Sequence, residues 1–291
     1  MSPGKKKLDG QEELFAMASA PTTKRRLLPA TKIWTDSKAR LIANYLELFQ
    51  LVTHHGNYID GFAAPQDERK LDAWSAALAL GIQPEWFRRF YLFDIDPQGI
   101  AQLEELKKKH KDREIHIYEG DFNQRVAEIL RPDVLPLTEA AFCLLDQRTH
   151  ECEWATVETI ADYKRGEKSK VELFYFLAEK WFARSYKSMK DPKSLARVEA
   201  WWGRDDWREV AGMRGPERLK MMEHRFTSEL HYAFATSYAI HERVRGIGRV
   251  AYYMIHACDH PAAPRLMSDA YKKTIDPMFI PPQLSLEELT E

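Results

Sequence analysis

The chain has 291 residues, of which 44% are hydrophobic and 30% are charged, a composition that suits one α/β domain with an appended subdomain. Its 43 Lys and Arg residues nearly balance its 44 Asp and Glu residues, so the overall charge attracts no polyanionic partner. Three cysteines without a C-x-x-C pair indicate neither a disulfide framework nor a zinc knuckle, and no apolar run is long enough for a membrane span. A cytoplasmic protein with no membrane association is expected.

Three regions follow one another along the chain. Residues 1–30 carry two basic clusters and no sustained apolar period, which predicts a flexible basic arm. Residues 31–275 form the predicted α/β domain, whose first helix is expected to begin near Thr35 or Asp36 because either side chain can cap it. Residues 276–291 are rich in proline and predict a C-terminal tail on the surface.

Within the domain, short apolar runs alternate with amphipathic stretches, the pattern of β-α units that feed a mostly parallel sheet flanked by helices. Strands are predicted near 57–61, 89–95, 114–119, 140–146, 170–177 and 248–257. Helices are predicted near 72–81, 97–110, 122–130, 152–165 and 178–190. The segment 192–246 breaks the alternation with long charged stretches and predicts a helical insertion before the last strand.

Four of the predicted strands end in a carboxylate: Asp60, Asp94, Asp121 and Asp146. In an open parallel sheet, ligands bind beyond the carboxyl ends of the strands. Although an acid in such a loop often only caps a helix, four of them at successive strand ends predict one shared ligand site.

Each predicted position suits a different part of one ligand. Asp94 suits ribose hydroxyls, as the acid in dinucleotide-binding folds does. Asp121 offers an acceptor for an adenine amino group beside the ring of Phe122, and Asp60 beside Gly61 places negative charge near an ammonium or a sulfonium. These groups suit S-adenosylmethionine better than a pyrophosphate ligand, which carboxylates without a glycine cradle would repel. No G-x-x-x-x-G-K-[ST] motif is present, which argues against a P-loop NTPase.

Several segments together carry a resemblance to a known family. They are Tyr58-Ile59-Asp60-Gly61-Phe62-Ala63-Ala64-Pro65, Gly120-Asp121-Phe122-Asn123 and Ala141-Phe142-Cys143-Leu144-Leu145-Asp146, followed by Trp154 and by Tyr252-Tyr253-Met254-Ile255. In content and order they resemble the three-Cys-motif partner proteins (TcmP) over residues 31–275. The family is named after a cysteine motif in a partner protein, so the three cysteines of this chain are unrelated to the name.

The resemblance implies a Rossmann-like methyltransferase fold and S-adenosylmethionine as cofactor, with S-adenosylhomocysteine as product. Carried over by position, the loop Asp60, Gly61, Phe62 and Ala63 and the strand-end acids Asp94 and Asp121, with Phe122 beside the latter, would bind the cofactor. Asp146 starts the matching catalytic-loop motif. No metal is implied. The implied partners are a protein that carries a three-Cys motif or a nucleic acid.

The sequence departs from the family pattern in two loops. Ala64 and Gln66 replace glycines, which matters because a glycine permits positive φ and close approach of the backbone to a ligand. The family's Asp-Pro-Phe-Gly is Asp146-Gln147-Arg148-Thr149 here, which lacks the rigid proline and the aromatic ring. Methylation of a base by the (D/N)PP(Y/F) route is therefore disfavoured.

Three functions remain open at this level. The first is a TcmP-type methyltransferase, and the second is a catalytically inactive module of the same fold that senses a ligand or binds a partner. The third is a nucleic-acid-binding module in which the basic arm acts together with stacking by Trp201, Trp202 and Trp207. A metal or nucleophile site at His256, Cys258 and His260 is a weaker alternative, because Pro261 ends the strand directly after them.

Overall fold

The computed structural model describes residues 33–34, 37–65, 73–167, 170–178, 189–244 and 247–280. Several predictions lie outside these residues. They concern the arm 1–30, the candidate cap residues Thr35 and Asp36, Gln66 (one of the two differences from the glycine pattern of the resembling family), almost all of the helix predicted near 178–190, and the tail beyond residue 280.

Eight strands of the described residues form a single sheet in the order β1-β7-β8-β6-β5-β2-β3-β4. All neighbouring strands are parallel except at β8, which runs antiparallel to both β6 and β7. The strands are β1 (Ile33–Trp34), β2 (Gly56–Asp60), β3 (Phe87–Asp94), β4 (Glu114–Glu119), β5 (Ala141–Leu145), β6 (Glu172–Leu177), β7 (Phe234–Val244) and β8 (Ile247–Cys258).

Helices cover both faces of this sheet. In the described residues they are α1 (Lys38–Thr53), α2 (Ser75–Leu80), α3 (Pro97–Lys109), α4 (Phe122–Arg125), α5 (Trp154–Tyr163), α6 (Pro192–Trp202), α7 (Trp207–Gly212), α8 (Gly215–Ser228) and α9 (Ala263–Ile275). A short 3-10 helix, Val126–Glu128, continues α4.

The hydrophobic core is divided into two layers by the central strands. Successive strand residues point to opposite faces, so Phe142 packs with α1, α2, α3 and α9, whereas Cys143 packs with α4 to α8. All residues of β2, β5 and β6 are buried, which explains why β5 and the part of β6 after Glu172 are continuous apolar runs in the sequence rather than alternating ones.

The strand order and the antiparallel β8 confirm the predicted fold class, a Rossmann-like methyltransferase fold with a mostly parallel sheet flanked by helices. The six predicted strands begin and end within two residues of β2, β3, β4, β5, β6 and β8. Apolar runs bounded by turn residues therefore located the central sheet.

The predicted helical insertion 192–246 is wrong in its second part. Helices α6, α7 and α8 end at Ser228, and Phe234–Val244 form β7, which pairs with β8 along its whole length. The insertion therefore precedes the last two strands. Strand β7 was missed because, among its residues whose burial the structure describes, only Tyr238 and Ile240 are strongly buried, while the charged residues at its far end resemble those of the helices before it.

The tryptophans considered for base stacking belong to the core. Trp201, Trp202 and Trp207 are each at most 2% exposed, so no nucleic-acid base can reach their faces in this structure. The guanidinium of Arg225 lies between two indoles, with its central carbon 3.8 Å from the ring centroid of Trp154 and 4.5 Å from that of Trp202. This cation-π arrangement attaches α8 to α5 and α6.

Candidate functional site

The chain order reverses at β2, the strand from which the sheet grows in both directions. From β2 the chain adds β3 and β4 on one side, and it then returns to add β5 and β6 on the other. Ligands of open α/β sheets bind beyond the carboxyl ends of the strands at such a switch point. A cavity of about 390 Å³ lies there, which we call the carboxyl-end cavity. It is lined by Phe62, Ala64, Pro65, Asp94, Ile95, Asp96, Gln98, Gly99, Gln102, Asp146, Arg148 and Glu151.

The loop after β2 is bound to both neighbouring strands. The amide of Gly61 donates to Leu144 O at 3.0 Å, and the amide of Ala63 donates to Phe93 O at 2.8 Å. The Ala63 carbonyl in turn accepts a hydrogen bond of 2.6 Å from the indole of Trp74. The loop therefore enters the cavity wall in one fixed conformation.

Asp94 lies at the end of β3 and faces the cavity. Its Oδ2 accepts the Ala64 amide at 3.0 Å and its Oδ1 accepts the Asp96 amide at 2.9 Å. An ionised carboxylate has about four acceptor positions, so roughly two remain for a ligand hydroxyl pair. The next residue, Ile95, is 69% exposed and presents an apolar surface at the mouth of the cavity.

Ala64 is in close contact with the start of α3. A Cβ added to Gly99 would lie 2.5 Å from Ala64 Cβ and 3.3 Å from Asp94 Oδ1, so only glycine fits at position 99. The side chain of Ala64 is thus accommodated by a glycine across the cavity wall. Sequence reasoning did not single out Gly99, because it reads as an ordinary helix residue.

Asp60 lies beneath the cavity rather than in its wall. It is 1% exposed and accepts hydrogen bonds from Tyr58 Oη at 2.8 Å and from the Phe62 amide at 3.1 Å. Burial raises the pKa of Asp60 to about 7 in spite of these two donors, and the nearby carboxylates of Asp146 and Asp94 raise it further. The side chain fixes the turn into the loop.

Asp121 and Phe122 lie one layer away from the cavity. Asp121 caps α4 by accepting the amide and the side-chain amide of Asn123 at 3.0 and 2.9 Å. The buried ring of Phe122 packs edge-on against Phe93, and its atoms lie 3.0 Å from where a Cβ on Gly61 would be. Among the four predicted acids, therefore, Asp94 and Asp146 line the cavity, while the other two support its walls.

Asp146 is held by a lysine that the sequence did not reveal. Lys38, in the first turn of α1, lies 2.7 Å from each carboxylate oxygen of Asp146, and both side chains are largely buried. The lysine ammonium is also 4.9 Å from the ring centroid of Phe176. Because 108 residues separate the two partners, no local pattern could have indicated the pair.

The residue after Asp146 anchors the following loop through a pair of hydrogen bonds. The buried Gln147 side chain donates to Phe176 O at 3.1 Å and accepts the Cys152 amide at 3.0 Å. Asn123 holds the same loop from the other side, since its side chain donates to Glu151 O at 2.8 Å. The loop is therefore anchored to β6 and α4 without the ring of a proline.

The wall of the carboxyl-end cavity carries more negative than positive charge. Four carboxylates line it, and a single guanidinium, that of Arg148, is among the lining residues described: the acids are Asp94, Asp96, Asp146 and Glu151. Such a wall repels phosphate groups and attracts a cation. The arrangement suits a ligand that combines hydroxyl groups, an apolar ring and positive charge.

Two other sequence hypotheses have direct structural outcomes. His256 is buried and its Nε2 lies 2.6 Å from Glu172 Oε1, while Cys258 is also buried. Across the described part of the chain, no three His, Cys, Asp or Glu side chains are grouped so as to hold a metal ion. No helix in that part has the length and apolar character needed to cross a membrane.

No protein-family model matches the chain, and no curated protein matches it. Several solved structures are similar in fold. An rRNA methylase from Streptococcus thermophilus is 12% identical, with 76% of this chain and 92% of that chain covered and a TM-score of 0.38. TYW2 from M. jannaschii, solved with AdoMet, is 12% identical over 74% and 75% of the two chains, also at 0.38.

A third similar structure is protein LPL1258 from Legionella pneumophila. It is 10% identical, covers 84% of this chain and 94% of its own, and has a TM-score of 0.47. At these identities the similarity concerns the arrangement of strands and helices only. The fold assignment rests on the strand order given above, and the chemistry of the site has to be argued from its own residues.

Proposed function

We propose that this protein is an S-adenosylmethionine-dependent methyltransferase of the TcmP type that binds its cofactor in the carboxyl-end cavity. The observation that carries the proposal is the acidic wall at the switch point of the sheet, with Asp94 at the end of β3 and Asp146 at the end of β5. The order of the three resembling segments, from the β2 loop to Asp146, supports the TcmP type.

The residues present fit the cofactor in three respects. The remaining acceptor positions of Asp94 suit the two ribose hydroxyls, and the exposed Ile95 suits one face of the adenine. The carboxylates of Asp146 and Glu151 favour the sulfonium and ammonium charges. When bound, the cofactor supplies an electrophilic methyl group.

In this proposal Asp146 orients the methyl acceptor at the reacting end of the cavity. Lys38 fixes both carboxylate oxygens of Asp146, so the carboxylate keeps one orientation and still has lone pairs directed elsewhere. A positioned carboxylate can accept the proton that a nucleophile releases. The acceptor would be a nucleic acid or a partner protein with a three-Cys motif, and the loop Gln147-Arg148-Thr149 argues against the base-methylating route.

A second candidate is an inactive module of the same fold that binds the ligand without turnover. Two observations favour this candidate. The Ala64 side chain packs against Gly99 and occupies space that a glycine in the resembling family's loop would leave for a ligand. Both oxygens of Asp94 also already accept a hydrogen bond from a backbone amide. The basic arm leaves nucleic-acid binding as a third candidate, although the buried tryptophans do not contribute to it.

The test is thermal unfolding with and without saturating S-adenosylmethionine or S-adenosylhomocysteine. A ligand at about 100 times its dissociation constant adds roughly 2.7 kcal/mol to the stability, which should raise the midpoint by several degrees. Asp94→Asn should abolish the shift, while Asp112→Asn, at an exposed turn residue, should leave it unchanged. A wild-type protein that shifts with neither ligand would overturn the proposal.

Turnover separates the first candidate from the second. Transfer of a labelled methyl group to a nucleic-acid or protein acceptor, lost in Asp146→Asn, supports the enzyme. Binding of both ligands without transfer to any acceptor offered favours the inactive module. Binding of nucleic acid that weakens steeply with salt and after removal of residues 1–30 would support the third candidate.

A further inference from the structure

A second cavity lies at the opposite end of the same strands. It has a volume of about 240 Å³, and we call it the amino-end cavity. Its wall is formed by the start of β5 at Ala141, the start of β6 at Glu172, the end of α1 at Phe49 and the start of α9 at Leu266. The length of the strands separates it from the carboxyl-end cavity, so it is a separate site.

The cavity is mostly apolar but has one buried carboxylate in its wall. Glu172 is 7% exposed, and the two hydrogen bonds that it accepts both reach Oε1, from Tyr45 Oη and from His256 Nε2. Among the described residues no donor reaches Oε2. Because Glu172 lines the cavity and both donors lie on Oε1, Oε2 is available as an acceptor for any donor that enters the cavity.

The other polar groups around this cavity are bound within the protein. Lys170 Nζ donates to Leu230 O at 2.8 Å and to His231 O at 2.6 Å, so its ammonium does not neutralise Glu172 directly. Asp259 accepts the Ala233 amide at 2.9 Å, and His260 Nδ1 accepts the Ala262 amide at 3.2 Å.

His55 adds no positive charge to this wall. Its Nε2 accepts the Ala140 amide at 3.1 Å, and its Nδ1 lies 2.5 Å from Thr53 O, which is the pattern of a neutral imidazole with the proton on Nδ1. The open oxygen of Glu172 is thus a polar feature of the cavity that a ligand can satisfy.

We propose that the amino-end cavity binds a small amine with an apolar body, whose ammonium donates to the free oxygen of Glu172. Hydrogen bonds between two charged groups are about twice as strong as neutral ones, and the apolar part of the wall can contact the body of the ligand. The volume of about 240 Å³ accommodates one aromatic or branched aliphatic group together with its amine. The proposal does not depend on the function of the carboxyl-end cavity.

The experiment uses benzylamine as the probe, with benzyl alcohol and benzoate as neutral and anionic analogues of the same size. Isothermal titration calorimetry of the full chain should show benzylamine binding at least about tenfold tighter than either analogue, because only the amine forms the charged hydrogen bond. Equal binding of all three compounds, or no binding of benzylamine, would overturn the proposal.

Variants place the probe in the amino-end cavity. Glu172→Gln should weaken benzylamine binding at least about tenfold while leaving benzyl alcohol unchanged, and Glu158→Gln on the exposed face of α5 should change neither. If Glu172→Gln fails to fold, Val52→Phe gives the test with the carboxylate intact, because Val52 lines the cavity and is partly exposed. Benzylamine binding that survives Val52→Phe and disappears in Asp94→Asn would assign the probe to the carboxyl-end cavity and overturn the proposal.

Discussion

The two cavities lie at opposite ends of the same parallel strands and differ in how they are built. The carboxyl-end cavity is made of loops that follow β2, β3 and β5, and four of its lining residues are acids. The amino-end cavity is made of strand starts and helix ends, and its wall is mainly apolar. The loops of the carboxyl end carry the acids, whereas the strand starts at the amino end are mainly apolar, with Glu172 as an exception.

This difference indicates where burying a charged group costs the most free energy in this fold. At the carboxyl end, negative charge is crowded, and one acid, Asp60, is buried beneath the others. At the amino end the buried carboxylate of Glu172 is accompanied by two donors on one oxygen. Three sets of substitutions address the crowded end, in order of decreasing expected effect.

The largest effect is expected at Asp60, as a dependence of stability on pH. The folded protein holds the Asp60 proton up to about pH 7, whereas the ordinary pKa is 3.8, so the native state binds more protons between these values. Stability therefore falls as pH rises through this window, by on the order of 4 kcal/mol. In Asp60→Asn this fall should disappear. Between pH 4 and 8, urea unfolding should therefore show the free energy of unfolding of the variant rising relative to that of the wild type. Equal pH profiles for Asp60→Asn and the exposed control Asp112→Asn would show that the burial of Asp60 has no energetic consequence.

The next effect is expected at the pair Lys38–Asp146. Lys38→Met leaves a largely buried carboxylate without its cation and should lower the free energy of unfolding by about 3 kcal/mol. The double variant Lys38→Met with Asp146→Leu should recover most of this loss. Lys273→Met removes the partner of the more exposed Glu47 and should cost less than about 1 kcal/mol. If the two lysine variants lose the same stability, the carboxyl end has no special charge requirement.

The smallest effect concerns the contact between the loop after β2 and α3. Gly99→Ala should destabilise the protein by about 1–3 kcal/mol, because the new Cβ would lie 2.5 Å from Ala64 Cβ. Ala64→Gly removes that atom, so the double variant should be more stable than the sum of the single effects by about 1 kcal/mol or more. Additive effects in denaturant unfolding would show that the loop moves away from α3 freely.

The sequence allowed the central sheet to be predicted because its signals are local. Strand β5 and the part of β6 after Glu172 are uninterrupted apolar runs, and an acid is the last residue of β2 and of β3 and directly follows β5. The predicted roles of Asp60, Gly61, Phe62, Ala63, Asp94, Asp121, Phe122 and Asp146 in binding or catalysis stay predictions. The structure adds which of these residues reach the cavity surface: only Phe62, Asp94 and Asp146 of this set line the cavity.

What could not be predicted depends on contacts between distant residues. Strand β7 is defined by its pairing with β8, and the ion pair of Lys38 joins the first described helix to the end of β5. The amino-end cavity collects residues from two helices and two strands, each of which reads separately as a core or cap residue. Glu172 begins an otherwise apolar strand, and the sequence around it does not indicate its partners. These partners, Tyr45 and His256, come from distant parts of the chain.

The side chain of Gln147 has a consequence for how the segment after Asp146 responds to heat. A proline restricts its backbone through a covalent ring, and that restriction is the same at every temperature. Gln147 instead holds the segment through two hydrogen bonds, to Phe176 O and from the Cys152 amide, and both can be exchanged for water. We therefore expect this segment to detach by local unfolding as the temperature rises. The exchange rate of the Cys152 amide hydrogen measures how often the segment detaches.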